Sequence, residues 1–272
     1  MPTIDSHRVG LSMLVLSAMQ PNVLILGGTT EARELATALS GRPFATTVSL
    51  AGRTAAPAAQ AVPVRVGGFG GAAGLADYLR SNKIDFLIDA THPYAEVISA
   101  NAALAAAQTC TPLLGLRRPP WQAVDGDFWV EVAGSEGAVR ALGRSPRRVF
   151  LAVGRQELSP FCSAPQHHYF IRSVDPVDPP LDVPHATYIL ARGPFTEPAD
   201  RKLLESNSIN AIVAKNSGGD ATYSKITAAR SLGIPVFMFK RPPVPDCPSV
   251  ATVGEAVDWL YQAAGLEVPR GV

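Results

Sequence analysis

The sequence predicts an α/β protein with two parallel β-sheets, the second built on the plan of the first. Three observations lead there. Short apolar runs alternate with helical patterns along the whole chain. The runs are continuously apolar, as strands are when both faces of a sheet are covered. Their order in the first half recurs in the second. The length of 272 residues, 47% of them hydrophobic, fits about two domains at roughly 100–200 residues each.

The elements follow in order. Asn22–Leu26 (NVLIL) reads as a buried strand ended by Gly27-Gly28. Thr30–Leu39 carries Ala32, Leu35, Ala36 and Leu39 at helical spacing. Strands are expected at Thr46–Leu50, Val64–Val66, Asp85–Ile88 and Pro112–Leu116, and helices at Gly71–Ser81 and Glu96–Gln108. In the second half Phe150–Gly154 echoes Val23–Gly27, with Glu157 following as Glu31 does. Ile209–Val213 echoes Ile84–Ile88. Pro112 to Pro120 and Pro235 to Pro243 share the pattern P-x5-R-P-P, and a helix with Ala-Val (Ala138-Val139, Ala256-Val257) follows each. Thr252 and Glu255 have capping-box spacing. An internal duplication explains the shared order better than convergence. The expected division is an extension at 1–20, a first domain at 21–143 and a second at 144–272, with an exchange of the final strand or helix between the domains left open.

Composition excludes several classes. Charged residues are 17% and the net charge is +1, so neither disorder nor a global field for nucleic acid is expected. No apolar run reaches membrane-span length. Leu11–Met19 only loosely resembles a secretory h-region, with no A-x-A site after it. Cys110, Cys162 and Cys247 form no C-x-x-C and are odd in number, which suits a reducing, cytoplasmic compartment. His167-His168 lacks further ligands at zinc spacing, so no metal is expected. No G-x-S-x-G, P-loop or Y-x-x-x-K occurs.

Four loops carry the candidate chemistry. Gly27-Gly28-Thr29-Thr30-Glu31 joins a strand to a helix, where glycines and the helix N-terminus suit a pyrophosphate. Against G-x-G-x-x-G, Thr29 replaces the second glycine, and a plain structural turn is an equal reading. The next strand has no acid from Thr46 to Thr54, unlike an NAD-selective fold. Arg53 can pair with a 2′-phosphate, supported by Ser49, Gly52 and Thr54, with Gly68 in the following glycine loop; the alternative is a solvated arginine. Thr91-His92-Pro93-Tyr94 and Lys215-Asn216-Ser217-Gly218-Gly219 occupy equivalent places after buried strands. Open α/β sheets bind ligands there. Successive amides of the second loop suit an anion nest, and Lys225 lies at the next helix start. His92 and Tyr94 can also be packing or capping residues. Trp121 is expected in the core or at the domain interface.

Together GGTTEAREL, SLAGRT, GGFGG, DATHPYA, ILARGPF and KNSGG followed by AARSLGIPV resemble the precorrin-6A and cobalt-precorrin-6A reductase family, in order from about Val23 to Leu260. The resemblance implies two Rossmann-like domains with ligands in the interdomain cleft. It implies NADPH-dependent reduction of a corrin precursor, precorrin-6A to precorrin-6B, in cobalamin biosynthesis. The catalytic candidates are then His92, Tyr94, Lys215 and Ser217. Thr91 joins the cofactor contacts. Arg118, Arg155, Arg192, Asn216, Gly218, Gly219, Lys225 and Arg241 are candidates to meet the carboxylates of a tetrapyrrole. A monomer or small homo-oligomer is expected, with no nucleic-acid or membrane partner. Two other readings stay open: a non-catalytic NADP-responsive regulatory module, and an NADP reductase of another polycarboxylate.

Overall fold

A computed structural model describes residues 20–52 and 58–267. The expected N-terminal extension therefore lies, but for residue 20, outside the described residues. The first half runs β1 (Asn22–Leu26), α1 (Thr30–Leu39), β2 (Ala45–Leu50), β3 (Val64–Val66), α2 (Gly71–Ser81), β4 (Phe86–Asp89), α3 (Glu96–Thr109), β5 (Leu113–Leu116), β6 (Trp129–Val132) and α4 (Gly134–Leu142). The second runs β7 (Arg148–Ala152), two 3-10 turns (Arg155–Glu157 and Ser159–Ser163), β8 (His168–Ser173), β9 (Ala186–Leu190), α5 (Glu197–Ser206), β10 (Ala211–Lys215), α6 (Ser224–Leu232), β11 (Val236–Phe239), β12 (Ser249–Val250) and α7 (Val253–Ala263).

Two six-stranded sheets result, ordered β12-β5-β4-β1-β2-β3 and β6-β11-β10-β7-β8-β9. Every strand pairing in both is parallel. The orders superimpose with β1 on β7 and β4 on β10, as a duplication requires. Each sheet is apolar on both faces. Val23 and Ile25 pack toward α1 and α7, while Leu24 and Leu26 pack toward α2 and α3. In α1 the buried residues are Ala32, Leu35, Ala36 and Leu39, and the Thr29 side chain caps the helix at Ala32 N. The capping box of Thr252 and Glu255 starts α7.

The division at 143/144 requires correction. It assigns β6 and α4 to the first domain and β12 and α7 to the second. The sheets take them the other way: β6 pairs with β11, and β12 with β5. Ala256, Val257, Leu260 and Tyr261 of α7 lie in the core of the first sheet. Each half thus gives its last strand and helix to the other. The physical reason is that local patterning specifies a strand but not its neighbour. After a duplication, the edges of β5 and β11 offer equivalent ladders. The chain crosses just after each R-P-P, so the two crossings bring Arg118 and Arg241 together: Arg241 Nη1 donates to Arg118 O at 2.9 Å. No described helix is long and apolar enough to cross a membrane.

Candidate active site between the two sheets

The loop after β1 is built for a tight turn under open space. The Gly27 amide donates to Ser49 O at 2.9 Å, and a Cβ on Gly27 would stand 2.9 Å from Val48 Cγ1. Gly28 has φ +117°, and a Cβ there would meet nothing within 4 Å. Thr29 caps α1 and donates from its hydroxyl to Ala90 O at 2.8 Å, which ties the loop to the end of β4. Thr30 and Glu31 form the first turn. An anion is favoured at such an N-terminus by the helix dipole. Glu31 itself points to a cation: Arg118 Nη1 reaches both carboxylate oxygens at 2.8 and 2.6 Å. Burial, the largest single influence, opposes the charge of Glu31, but the Arg118 hydrogen bonds and charge, the Glu31 backbone amide and the Thr29 hydroxyl together hold the carboxyl below its ordinary range.

At the rim of β2, Ser49 is buried and Gly52 is exposed with φ +73°. Arg53 and Thr54 lie outside the described residues. The glycine loop after β3 is held by Arg65, which donates to Gly67 O and Gly68 O at 2.5 and 2.7 Å and to Ser49 Oγ at 3.2 Å.

The end of β4 meets the end of β10 across the seam. Asp89, 2% exposed, accepts from Thr91 N and Oγ1 at 3.2 and 2.6 Å and from Arg117 at 3.3 Å. Thr91 thereby starts the turn that carries His92. The Tyr94 amide donates to His92 Nδ1 at 3.3 Å, so the proton sits on Nε2, which faces Ser217 Oγ at 3.3 Å. Burial first, then Arg118, Lys215, Arg241 and Lys225, push His92 down to about 3. It is neutral at physiological pH. Tyr94 donates its hydroxyl to Phe239 O and accepts from Asn216 N at 2.9 Å; burial pushes its phenol up to about 12.

The nest expected at Lys215–Gly219 does not form from its first amides. Asn216 N is taken by Tyr94, and Ser217 N donates to Lys215 O at 2.8 Å. The Asn216 side chain closes a two-way pair with the Trp121 backbone at 2.8 and 3.0 Å. Trp121 Nε1 donates to Gly219 O at 2.9 Å, which places this tryptophan at the interface. Gly218 has φ +67°, and its Cβ would stand 2.2 Å from Pro119 O. The glycine therefore admits the crossing chain itself. Gly219 lies over the Arg118 side chain and Glu31. Arg118 Nε donates to Ser217 O at 2.5 Å, completing a link from the start of α1 to the second sheet.

Further cations converge on this seam. Lys215 pairs with Glu157 at 2.5 Å. Lys225 is 3% exposed, donates to Thr222 O and lies 4.8 Å from the Trp121 ring centre. Burial and then Arg172 push it down to about 7, against Asp200. Arg155 and Arg192 stand on exposed loops after β7 and β9, and Arg155 donates to Pro176 O at 3.2 Å. Sequence reasoning missed Arg65, Asp89 as the anchor of Thr91, and the partner of Glu31. Only Asp89 left a local signal, as the acid that ends a buried strand.

Two doubly wound parallel sheets, joined at the carboxyl ends of their inner strands by a cationic seam, define a Rossmann-like α/β protein with a candidate site between its sheets. The family model "Precorrin-6x reductase CbiJ/CobK" matches residues 22–261. The chain is 54% identical over 258 residues to a precorrin-6A reductase of a Sinorhizobium species, covering 93% of this chain and 99% of the relative. It is 50% identical over 250 residues to that of Rhodobacter capsulatus, covering 92% and 99%. The solved structure of "CobK precorrin-6A reductase" aligns with a TM-score of 0.87 at 50% identity, covering 93% of this chain and all of that one. The chain belongs to the precorrin-6x reductase family.

Proposed function

We propose that this chain is a precorrin-6A reductase of cobalamin biosynthesis, acting in the cytoplasm on precorrin-6A with NADPH and a proton to give precorrin-6B and NADP⁺. The observation that carries this reading is the link Glu31–Arg118–Ser217–His92. It joins an anion-ready helix start in one sheet to a cation-lined loop of the other, in a chain of the reductase family.

The first sheet fits a dinucleotide. Gly28 leaves open space at the start of α1, and Gly68 does the same after β3. Gly27, Thr29 and Thr30 shape the pyrophosphate turn, while Thr91 and Ser49 border it. Gly52, Arg53 and Thr54 are assigned to the adenosine end. When bound, the nicotinamide supplies hydride to a ring double bond of the macrocycle. The residues of the chain orient, neutralise and exclude water. Arg118, Arg155 and Arg192 meet the substrate carboxylates, with Gly219 at close range. Lys225, buried beside Trp121, and Gly218, closed over by Pro119 O, form the wall behind them rather than contacts as expected. Glu31 positions Arg118. His92, neutral and bonded to Ser217, positions the loop and does not deliver a proton as imidazolium. Tyr94 and Asn216 hold the two strand ends in place, and Lys215 adds positive charge beside them.

The test is anaerobic incubation of the protein with precorrin-6A and NADPH, following the macrocycle spectrum and NADPH absorbance together. The expected result is one NADPH consumed per macrocycle reduced. Oxidation of NADPH without a macrocycle change, or none with this substrate, rejects the reading. Cobalt-precorrin-6A in a parallel sample distinguishes the metal-containing substrate.

A further inference from the structure

The outer rim of the first sheet holds a guanidinium that neither the seam nor the glycine turn uses. Arg65 stands beside Ser49 in the parallel register of β2 and β3, so both side chains leave the same face. Its Nη1 donates to Ser49 Oγ and Gly67 O, and its Nη2 to Gly68 O. The plane of the group rests 3.8 Å from the Phe69 ring centre and 5.2 Å from that of Tyr78. Three acceptors and an aromatic stack therefore fix its orientation before any ligand arrives.

A guanidinium has five N–H donors in a rigid fork. Three are engaged here. Among the described residues nothing accepts from Nε–H or from the second Nη2–H, and no carboxylate pairs with Arg65. Those two hydrogens share one edge of the plane, the edge that grips a carboxylate or phosphate with two parallel bonds. Arg65 Nε is not one of the buried side-chain atoms left without a partner, so the edge is open to solvent. The charge is uncompensated by β2, which carries no acid. In a doubly wound sheet the end of this second strand is where the adenosine ribose is read.

We propose that Arg65 is a specificity-determining residue that binds the 2′-phosphate of the dinucleotide through its open edge. This rests on the reading of the first sheet as the cofactor sheet. A positioned fork grips a phosphate on two bonds. A ribose with a bare 2′-hydroxyl offers no such anion, so Arg65 separates the two cofactors rather than strengthening both.

The test measures NADP⁺ and NAD⁺ affinity by calorimetry on the full chain, with 2′,5′-ADP and 5′-ADP as fragments. Wild type is compared with Arg65→Met, which keeps an apolar stem against Phe69, and with Arg65→Lys, which keeps the charge without the fork. Arg65→Met is expected to weaken NADP⁺ and 2′,5′-ADP by roughly ten- to a hundredfold, with NAD⁺ and 5′-ADP changed less than about threefold. Arg65→Lys should fall between, with its melting temperature near wild type. Equal weakening of both nucleotides in Arg65→Lys would mean that Arg65 only supports the glycine loop, and overturns the proposal. So does an unchanged NADP⁺ to NAD⁺ ratio in both variants. If wild type binds neither nucleotide, the cofactor reading itself falls, and that outcome is distinct from the first two.

Discussion

The loops after β1 and β7 begin alike and end differently. Both leave a buried central strand at a glycine, and both carry an acid three or four residues on. After β1, Gly28 turns at φ +117° under open space and α1 follows for ten residues. After β7, Gly154 sits at φ −73° and leads only into the 3-10 turns. The ladder registers set Gly154 against Gly28, one residue off the sequence echo that matched it to Gly27. A Cβ at Gly154 would stand 2.4 Å from Glu157 Oε2, so the side chain of the acid fills the place left open at Gly28. Only the first loop has a full helix behind it, and with it a helix dipole that favours an anion. The acids diverge too. Glu31 draws Arg118 to the helix start, whereas Glu157 draws Lys215 into the second sheet. The strands repeat, while the loops differ: one opens into a full helix and the other is closed by its own acid.

The sharpest way to break that asymmetry is at the seam. Gly218→Val puts a side chain into the Pro119 carbonyl at a left-handed φ. Strain and overpacking together should cost about 2–4 kcal/mol of stability, and turnover should fall by roughly a hundredfold or more. Urea unfolding and steady-state rates check this; unchanged values for both would show that the loop relaxes freely and does not set the interface.

Arg118→Ala leaves Glu31 unpaired at the start of α1, where its charge repels a phosphate. NADPH affinity should drop by about 1.5–3 kcal/mol, and Glu31→Gln added to it should restore part of the loss. Lys215→Ala disturbs the opposite loop, so it should raise KM for the macrocycle and leave NADPH binding within about threefold. Two single variants with identical effects on both ligands would erase the distinction between the loops.

A smaller effect is expected from protonation. His92 titrates near 3 in the folded protein, against 6.5 as the ordinary value. Between those values the unfolded chain binds a proton that the native state does not. Stability is therefore complete above about pH 6.5 and falls as the pH drops toward 3, by up to about 1.4 kcal/mol per unit. His92→Asn should flatten that slope in urea titrations at pH 5 and pH 7, with turnover reduced only severalfold. A variant that keeps the slope locates the titration elsewhere. A variant with NADPH bound normally but only background turnover would make His92 a chemical participant.

The smallest change should come from Arg155→Ala. This residue is exposed on the loop after β7, so loss of one solvent-screened contact should raise KM for the macrocycle by a few-fold, about 1 kcal/mol. NADP⁺ affinity should not move. A shift in nucleotide affinity instead would place the dinucleotide against the second sheet.

The sequence by itself determined the strands, the helices and the duplicated order. Those are local properties: continuous apolar runs, residues spaced by three and four, and capping side chains at helix starts. Thr30–Leu39 and Gly71–Ser81 begin and end where periodicity puts them. It also placed the loops of His92 and Lys215 at equivalent strand ends, because each follows a buried strand at the same position in the repeated order. Tertiary structure alone decided which sheet receives β6 and β12, since two edges of the same pattern accept either strand. It alone decided that Arg118 takes Glu31 and Ser217, and that the amides of Asn216 and Ser217 serve protein acceptors. Those partners lie far apart along the chain, and no local pattern encodes a contact whose energy exists only after both sheets have packed.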